Sequence, residues 1–131
     1  MYGGKDEFSI ISKIIHSSKN KTNLVLINEG KSIRDYIHID NVVDIYKELL
    51  STSKTNFDII DIGSGKGKSL EEILFYLSKN GYKILTKSVS SSEIDISIAN
   101  ISKIEKILDI NSFIDVNSYL LKKIRKSSKK N

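Results

Sequence analysis

The chain has 131 residues, 39% of them hydrophobic, with a net charge of +5. This suits one folded domain with a modest core and excludes a disordered chain. No apolar run approaches the ~20 residues of a membrane span. With no cysteine, disulfides and thiolate metal sites are excluded, and His16 and His38 alone supply imidazole. The start, "MYGGKDEFSI", has no basic end followed by an apolar block, so a soluble cytoplasmic protein is expected.

The elements follow in chain order. "FSIISKIIHSSK" places Phe8, Ile11 and Ile15 at helical spacing. "NLVLI" reads as a strand, and Asn28-Glu29-Gly30-Lys31 as a turn with Gly30 at positive φ. "SIRDYIHI" alternates Ile33, Asp35 and Ile37 against Arg34, Tyr36 and His38, which predicts a strand with His38 partly exposed. Asp40 stands where the N-cap of the helix "NVVDIYKELL" belongs. "FDIIDI" reads as a short strand. Ser69 and Glu72 have capping-box spacing before a helix that buries Leu70, Ile73, Leu74 and Leu77 and stops at Asn80-Gly81. "YKILTKSV" predicts another strand, and "SSSEIDIS" a polar loop with a short extended piece at its end. Asn100 is placed as the cap of a helix over "ISKIEKILDI", and a last helix is expected over 115–125.

The stretch "DIGSGKGKS", residues 61–69, invites four readings. A phosphate loop needs its first glycine at 62, which is Ile62. A dinucleotide fingerprint needs glycine at 68, which is Lys68, and it normally opens its domain. A methyltransferase loop for S-adenosylmethionine fits better. It wants an acid at the end of the next strand, but the first acid beyond Val89 is Glu93. A strand–helix–strand unit takes about 30 residues, so too little chain follows for that sheet. The fourth reading, preferred, is a structural turn from strand into capped helix, with Lys66 and Lys68 pointing to water.

The basic run "KKIRKSSKKN", residues 122–131, reads first as a solvated helix end. An RNA or membrane-surface arm is the other reading. Arginine, the better phosphate and base reader, occurs only at Arg34 and Arg125, so nucleic acid is not favoured.

"SIRDYIHIDNVVDIYKELL", residues 32–50, resembles the Arg-Asp-Tyr/Phe-Ile-His/Tyr-Val-Asp-Asp segment of the extended short-chain dehydrogenases/reductases that act on nucleotide sugars. Four further stretches resemble that family in the same order. "MYGGKDEFSIISKII" is similar to its Asn-x-Tyr-Gly-Pro stretch and following helix, and "NLVLINEGKSIRDY" to its strand–turn–strand. "FDIIDIGSGKGKSLEEILFYL" is similar to its Tyr-Asn-Ile-Gly-x-Gly-x-x-x-Ser-x-x-Glu segment, and "IANISKIEKILDI" to its Ala-Asp-x-Ser-Lys segment.

This resemblance implies a small mixed α/β unit, the C-terminal portion of a Rossmann-type enzyme without the dinucleotide-binding half. Residues 1–121 would be the substrate-binding portion and 122–131 a basic tail. The NAD loop and the catalytic Tyr-x-x-x-Lys pair would lie upstream. Tyr119 and Lys123 share that spacing by coincidence. The chain is thus expected to be a fragment, a split subunit or a decayed product, inactive alone, binding neither NAD nor metal. The resemblance further implies that Arg34 grips the diphosphate of a nucleotide sugar. Val25, Leu26 and Ile27 would run along the base, Ser9 and Ile10 would help position it, and Glu93 would accept from the ribose. Where the family often carries an arginine in the 88–95 arm, Ser90 stands here. A separate Rossmann-domain chain or self-association is the expected partnership. A non-catalytic partner subunit and a small methyltransferase stay open as alternatives.

Overall fold

The computed structural model describes residues 1–52 and 59–128. It is a mixed α/β arrangement of nine regular elements: α1 (Ile10–Asn20), β1 (Leu24–Ile27), β2 (Ile33–Asp35), α2 (Ile39–Ser51), β3 (Gly67–Ser69), α3 (Leu70–Lys79), β4 (Thr86–Val89), β5 (Ile96–Ser97) and α4 (Val116–Ser128).

The strands form two small sheets. β1 pairs in parallel with β4, Leu24 opposite Thr86 and Ile27 opposite Val89. β2 is the centre of the other sheet, antiparallel to β3 and parallel to β5, with Arg34 opposite Lys68 on one side and Ser97 on the other. A parallel bridge joins Tyr2 to His38; the Tyr2 N–H donates to the Ile37 carbonyl at 2.9 Å.

Two apolar clusters hold these elements. The larger gathers Ile11 and Ile14 of α1, Leu24 and Leu26 of β1, Leu70, Ile73 and Leu77 of α3, and Leu120 and Ile124 of α4 around Tyr2. The smaller packs Ile37, Ile45 and Ile104. Helical spacing on α3 puts its buried residues on one stripe, and the capping box is formed. The Ser69 Oγ accepts from the Glu72 N–H, and the Glu72 carboxylate accepts from the Ser69 N–H. Residues 122–128 of the basic segment belong to α4, and Ile124 among them is buried.

Several expectations are corrected. The strand expected at "FDIIDI" is absent over 59–62, while Phe57 and Asp58 lie outside the described residues. Ile60 and Ile62 pack into the smaller cluster, and the neighbouring Ile59 carbonyl accepts from Lys103 Nζ at 2.5 Å. The strand forms later, at Gly67–Ser69. Residues 101–112 make no α-helix, only turns and two single 3-10 turns, Ile104–Lys106 and Ile110–Ser112. Asn100 does cap locally, accepting from the Ser102 N–H at 3.2 Å. Asp109 captures the Asn111 N–H at 2.9 Å, a side-chain bond that competes with helix continuation. Phe8 lies ahead of α1 and is 87% exposed.

The N-cap of α2 is His38, not Asp40: its Nδ1 accepts from the Asp40 N–H at 3.1 Å. His38 is buried, not partly exposed. Its ring meets Tyr2 and Tyr119 edge-on, each centroid 5.1 Å away. Lys68 does not point to water; it pairs with Asp115 at 2.8 Å.

Candidate functional site

A cavity of about 600 Å³ opens between α1, β1 and β2, within the size range of small-ligand sites. Each wall follows from a local period. α1 presents Ile10, Lys13 and Ser17, spaced i, i+3 and i+7 on one face. β1 alternates, with Leu24 and Leu26 in the core and Val25 and Ile27 more exposed along the cavity. The strand and its lead-in present Ser32, Arg34 and Tyr36, all on one side by period two. Thr22 and Asn23, in the turn from α1 to β1, line one end; Gly30 and Glu93 line the region near Arg34.

Arg34 is the organising charge. Its Nη2 donates to the Glu93 carboxylate at 3.0 Å and its Nη1 to the Ile33 carbonyl at 2.9 Å. Neither the adjacent Asp35 nor Glu29 takes it; Glu29 pairs with Lys31. The Ser32 hydroxyl donates to the other oxygen of Glu93. The Arg34 and Glu93 side chains remain 31% and 23% exposed, so the pair is open to water and contributes modestly to stability. Beside it, burial pushes the Tyr36 phenol above its usual range, with the Arg34 guanidinium pulling the other way.

The arm carrying Glu93 is fixed by the turn after β1. Asn28, Glu29 and Gly30 all take positive φ, at 47°, 61° and 75°. For Asn28 and Glu29 this is an uncommon conformation that surrounding contacts must hold. Those contacts come from β4 and the arm beyond it. The Asn28 amide donates to the Ser91 carbonyl at 2.6 Å and accepts from the Ser91 N–H at 3.1 Å, while the Glu29 N–H donates to the Ser88 hydroxyl at 3.0 Å.

On the other side of the same strand, Asp35 faces the glycine turn. Its carboxylate accepts from the Ser64 N–H and Gly65 N–H, both at 2.8 Å, from the Ser64 hydroxyl at 2.5 Å, and from the Ala99 N–H at 3.3 Å. A Cβ at Gly63 would sit 2.3 Å from the Ala99 Cβ and 2.6 Å from Asp35 Oδ2, so close approach requires glycine there. The Ser64 and Gly65 amides of the turn are already taken by this carboxylate, and the Ser69 and Glu72 amides by the capping box. None of residues 61–69 lines the cavity.

Of the candidate residues, the structure brings Ile10, Val25, Ile27, Arg34 and Glu93 to one cavity. Leu26 points into the core beneath β1. Ser9 is the N-cap of α1, accepting from the Ser12 N–H at 3.2 Å, and lies outside the lining. Lys13, Ser17, Thr22, Asn23 and Ser32 were not anticipated. The i, i+3, i+7 stripe through Ile10 and the period-two line through Arg34 were the available signals. The Tyr119 ring packs on Tyr2 at 5.0 Å between centroids, and Lys123 Nζ lies 5.3 Å from the Tyr119 ring centre. No helix among the described residues is long and apolar enough to cross a membrane.

Comparison with known proteins gives a consistent picture. Residues 2–63 match the NAD dependent epimerase/dehydratase family. The CDP-abequose synthase of Salmonella typhimurium is 35% identical over 80 residues, covering 59% of this chain and 27% of that protein. Among solved structures, the UDP-glucuronic acid 4-epimerase of Bacillus cereus, in complex with UDP-glucuronic acid and NAD, superposes with a TM-score of 0.81 at 21% identity. MoeE5, in complex with the same two ligands, gives 0.80 at 19%. Each superposition covers 99% of this chain, which spans only 43% and 45% of those two. The match of residues 2–63 to that family and the fold shared with these solved structures support an extended short-chain dehydrogenase/reductase-like family for this chain.

Proposed function

We propose that this chain is the substrate-binding portion of an NAD-dependent nucleotide-sugar epimerase or dehydratase, and that the cavity between α1, β1 and β2 grips the nucleoside diphosphate. The single observation that carries this reading is the convergence of Arg34, Glu93, Ile10, Val25 and Ile27 on one cavity of ligand size. Arg34 has five N–H donors in a planar fork, and Glu93 and the Ile33 carbonyl engage only its two terminal nitrogens. The remaining donors meet a phosphate. Val25 and Ile27 give a planar base an apolar wall, and Glu93 accepts from a ribose hydroxyl.

NAD does not fit the residues described. The glycine turn ahead of α3 is filled by the Asp35 carboxylate, and the Ser69 and Glu72 amides at the start of α3 are taken by the capping box. A pyrophosphate there would meet two carboxylates. Hydride transfer, and the tyrosine acid/base it requires, are therefore assigned to a Rossmann portion outside these residues, and this chain alone turns over no sugar. Residues 1–121 carry the grip.

The test is calorimetric titration of the 131-residue chain with UDP, CDP and dTDP and their sugars. At least one should bind, and Arg34→Ala should weaken it tenfold to a hundredfold, the loss of a charge-assisted contact of ~1.5–3 kcal/mol. Equal affinity in Arg34→Ala and the parent chain would defeat this reading.

A further inference from the structure

A diphosphate bridge carries two negative charges, and one guanidinium already bonded to a carboxylate is a weak match for it. Arg34 and Glu93 stand 3.0 Å apart, and Ser32 holds Glu93 in that position, so the two act together as a nearly neutral unit. Among the lining residues, the one further lysine or arginine is Lys13, on the same helix as His16.

Its position follows from α1. Ile10, Lys13 and Ser17 form the stripe that this helix turns toward the cavity, while Ile11 and Ile14 turn into the core. Lys13 itself is exposed, and it makes no ion pair among the described residues. α1 and β1 are joined by the short turn 21–23, and both elements and the turn's Thr22 and Asn23 line the cavity with Lys13. A ligand that lays its base along Val25 and Ile27 and reaches Arg34 shares the cavity with that ammonium. A compact charge on a flexible stem can follow either phosphate, whereas the guanidinium is fixed by Glu93 and the Ile33 carbonyl.

We infer that Lys13, which lines the same cavity as Arg34, is the second cation of the diphosphate grip, and that it restores the charge that Glu93 removes. This rests on the nucleoside-diphosphate reading of the same cavity. It predicts a phosphate-selective effect, since an uncharged nucleoside offers Lys13 nothing to pair with.

The experiment compares UDP with uridine on the 131-residue chain at fixed ionic strength. UDP is titrated calorimetrically and uridine by ligand-observed NMR at millimolar concentration. Lys13→Gln should weaken UDP about tenfold, leave uridine unchanged and keep the parent melting temperature. Lys13→Arg should recover most of the UDP affinity. If Lys13→Gln binds UDP like the parent while Arg34→Ala has lost it, the cavity reading stands and the role of Lys13 is overturned. If uridine and UDP weaken equally, Lys13 serves the base or the helix and the inference is likewise overturned. If the parent chain binds neither probe, and neither CDP nor dTDP, the cavity reading itself fails.

Discussion

Arg34 and Asp35 are adjacent in the chain, but strand geometry sends them to opposite faces. Arg34 faces the cavity, and Asp35 gathers amides of Ser64, Gly65 and Ala99. His38, three residues on, shows how a buried group acquires a pH response. Burial holds its pKa below the ordinary value of 6.5; the Lys123 ammonium acts in the same direction, and the Asp40 carboxylate opposes them. The groups facing it also include the Tyr2 and Tyr119 rings, with Asp115 near Tyr2. In the folded state the neutral ring is favoured, and its Nδ1 must stay unprotonated to accept from the Asp40 N–H. This stability is fully present above pH 6.5 and falls as pH drops from there toward the lower folded pKa, because the unfolded chain takes up the proton first. The melting temperature should therefore decline between pH 7.5 and 5.5, above the range where carboxylates titrate. His38→Asn, which keeps a capping acceptor but cannot titrate, should flatten that decline. A profile unchanged by His38→Asn would exclude His38 as its cause. Arg34 was legible in the sequence because a recognisable motif surrounds it. The task of Asp35 was not, since its donors lie about 30 or more residues away and only the finished topology brings them to it.

At the scale of elements, what was legible is what local chemistry specifies. Ser69 and Glu72 are three residues apart, and both reciprocal bonds of the capping box form. Asn80 and Gly81 close the same helix, with Gly81 at φ 86°. Ser69→Ala removes the acceptor for the Glu72 N–H and should cost about 1 kcal/mol, read as a lower midpoint in urea with an unchanged slope. Ser69→Asp, which keeps an acceptor, should retain most of that stability. The elements that were misread have nonlocal determinants. "FDIIDI" has the composition of a strand. β2 is flanked by β3 and β5, and what fixes its neighbourhood is the Asp35-centred turn, not the apolarity of Ile60 and Ile62. In the same way, Ile101, Ile104 and Leu108 have helical spacing, and the side chain of Asp109 diverts the backbone after them. Ile60 and Ile62 of the first segment and Ile104 and Leu108 of the second still pack into the smaller cluster, while Ile59 stays exposed.

For the molecule as a whole, the cavity is assembled from segments far apart in the chain. α1, β1 and β2 supply most of its lining, while Glu93 arrives from beyond β4 and is located by the contacts of Asn28 and Glu29 with Ser91 and Ser88. β1 and β4 are held side by side in a parallel register that spans α2, β3 and α3. Closing so large a loop is entropically expensive, and pairings of this kind tend to complete late in folding. A ligand that needs both Arg34 and Glu93 has nothing to hold until that pairing is in place. UDP should therefore leave the refolding rate of the chain untouched and slow its unfolding in proportion to occupancy, the signature of contacts missing from the transition state. Stopped-flow traces with and without nucleotide read this directly; a refolding limb that quickens with UDP would mean that the β1–β4 seam closes early. The pairing that shapes the cavity thus also acts as a kinetic clasp, which a bound nucleotide tightens only once the chain has finished folding.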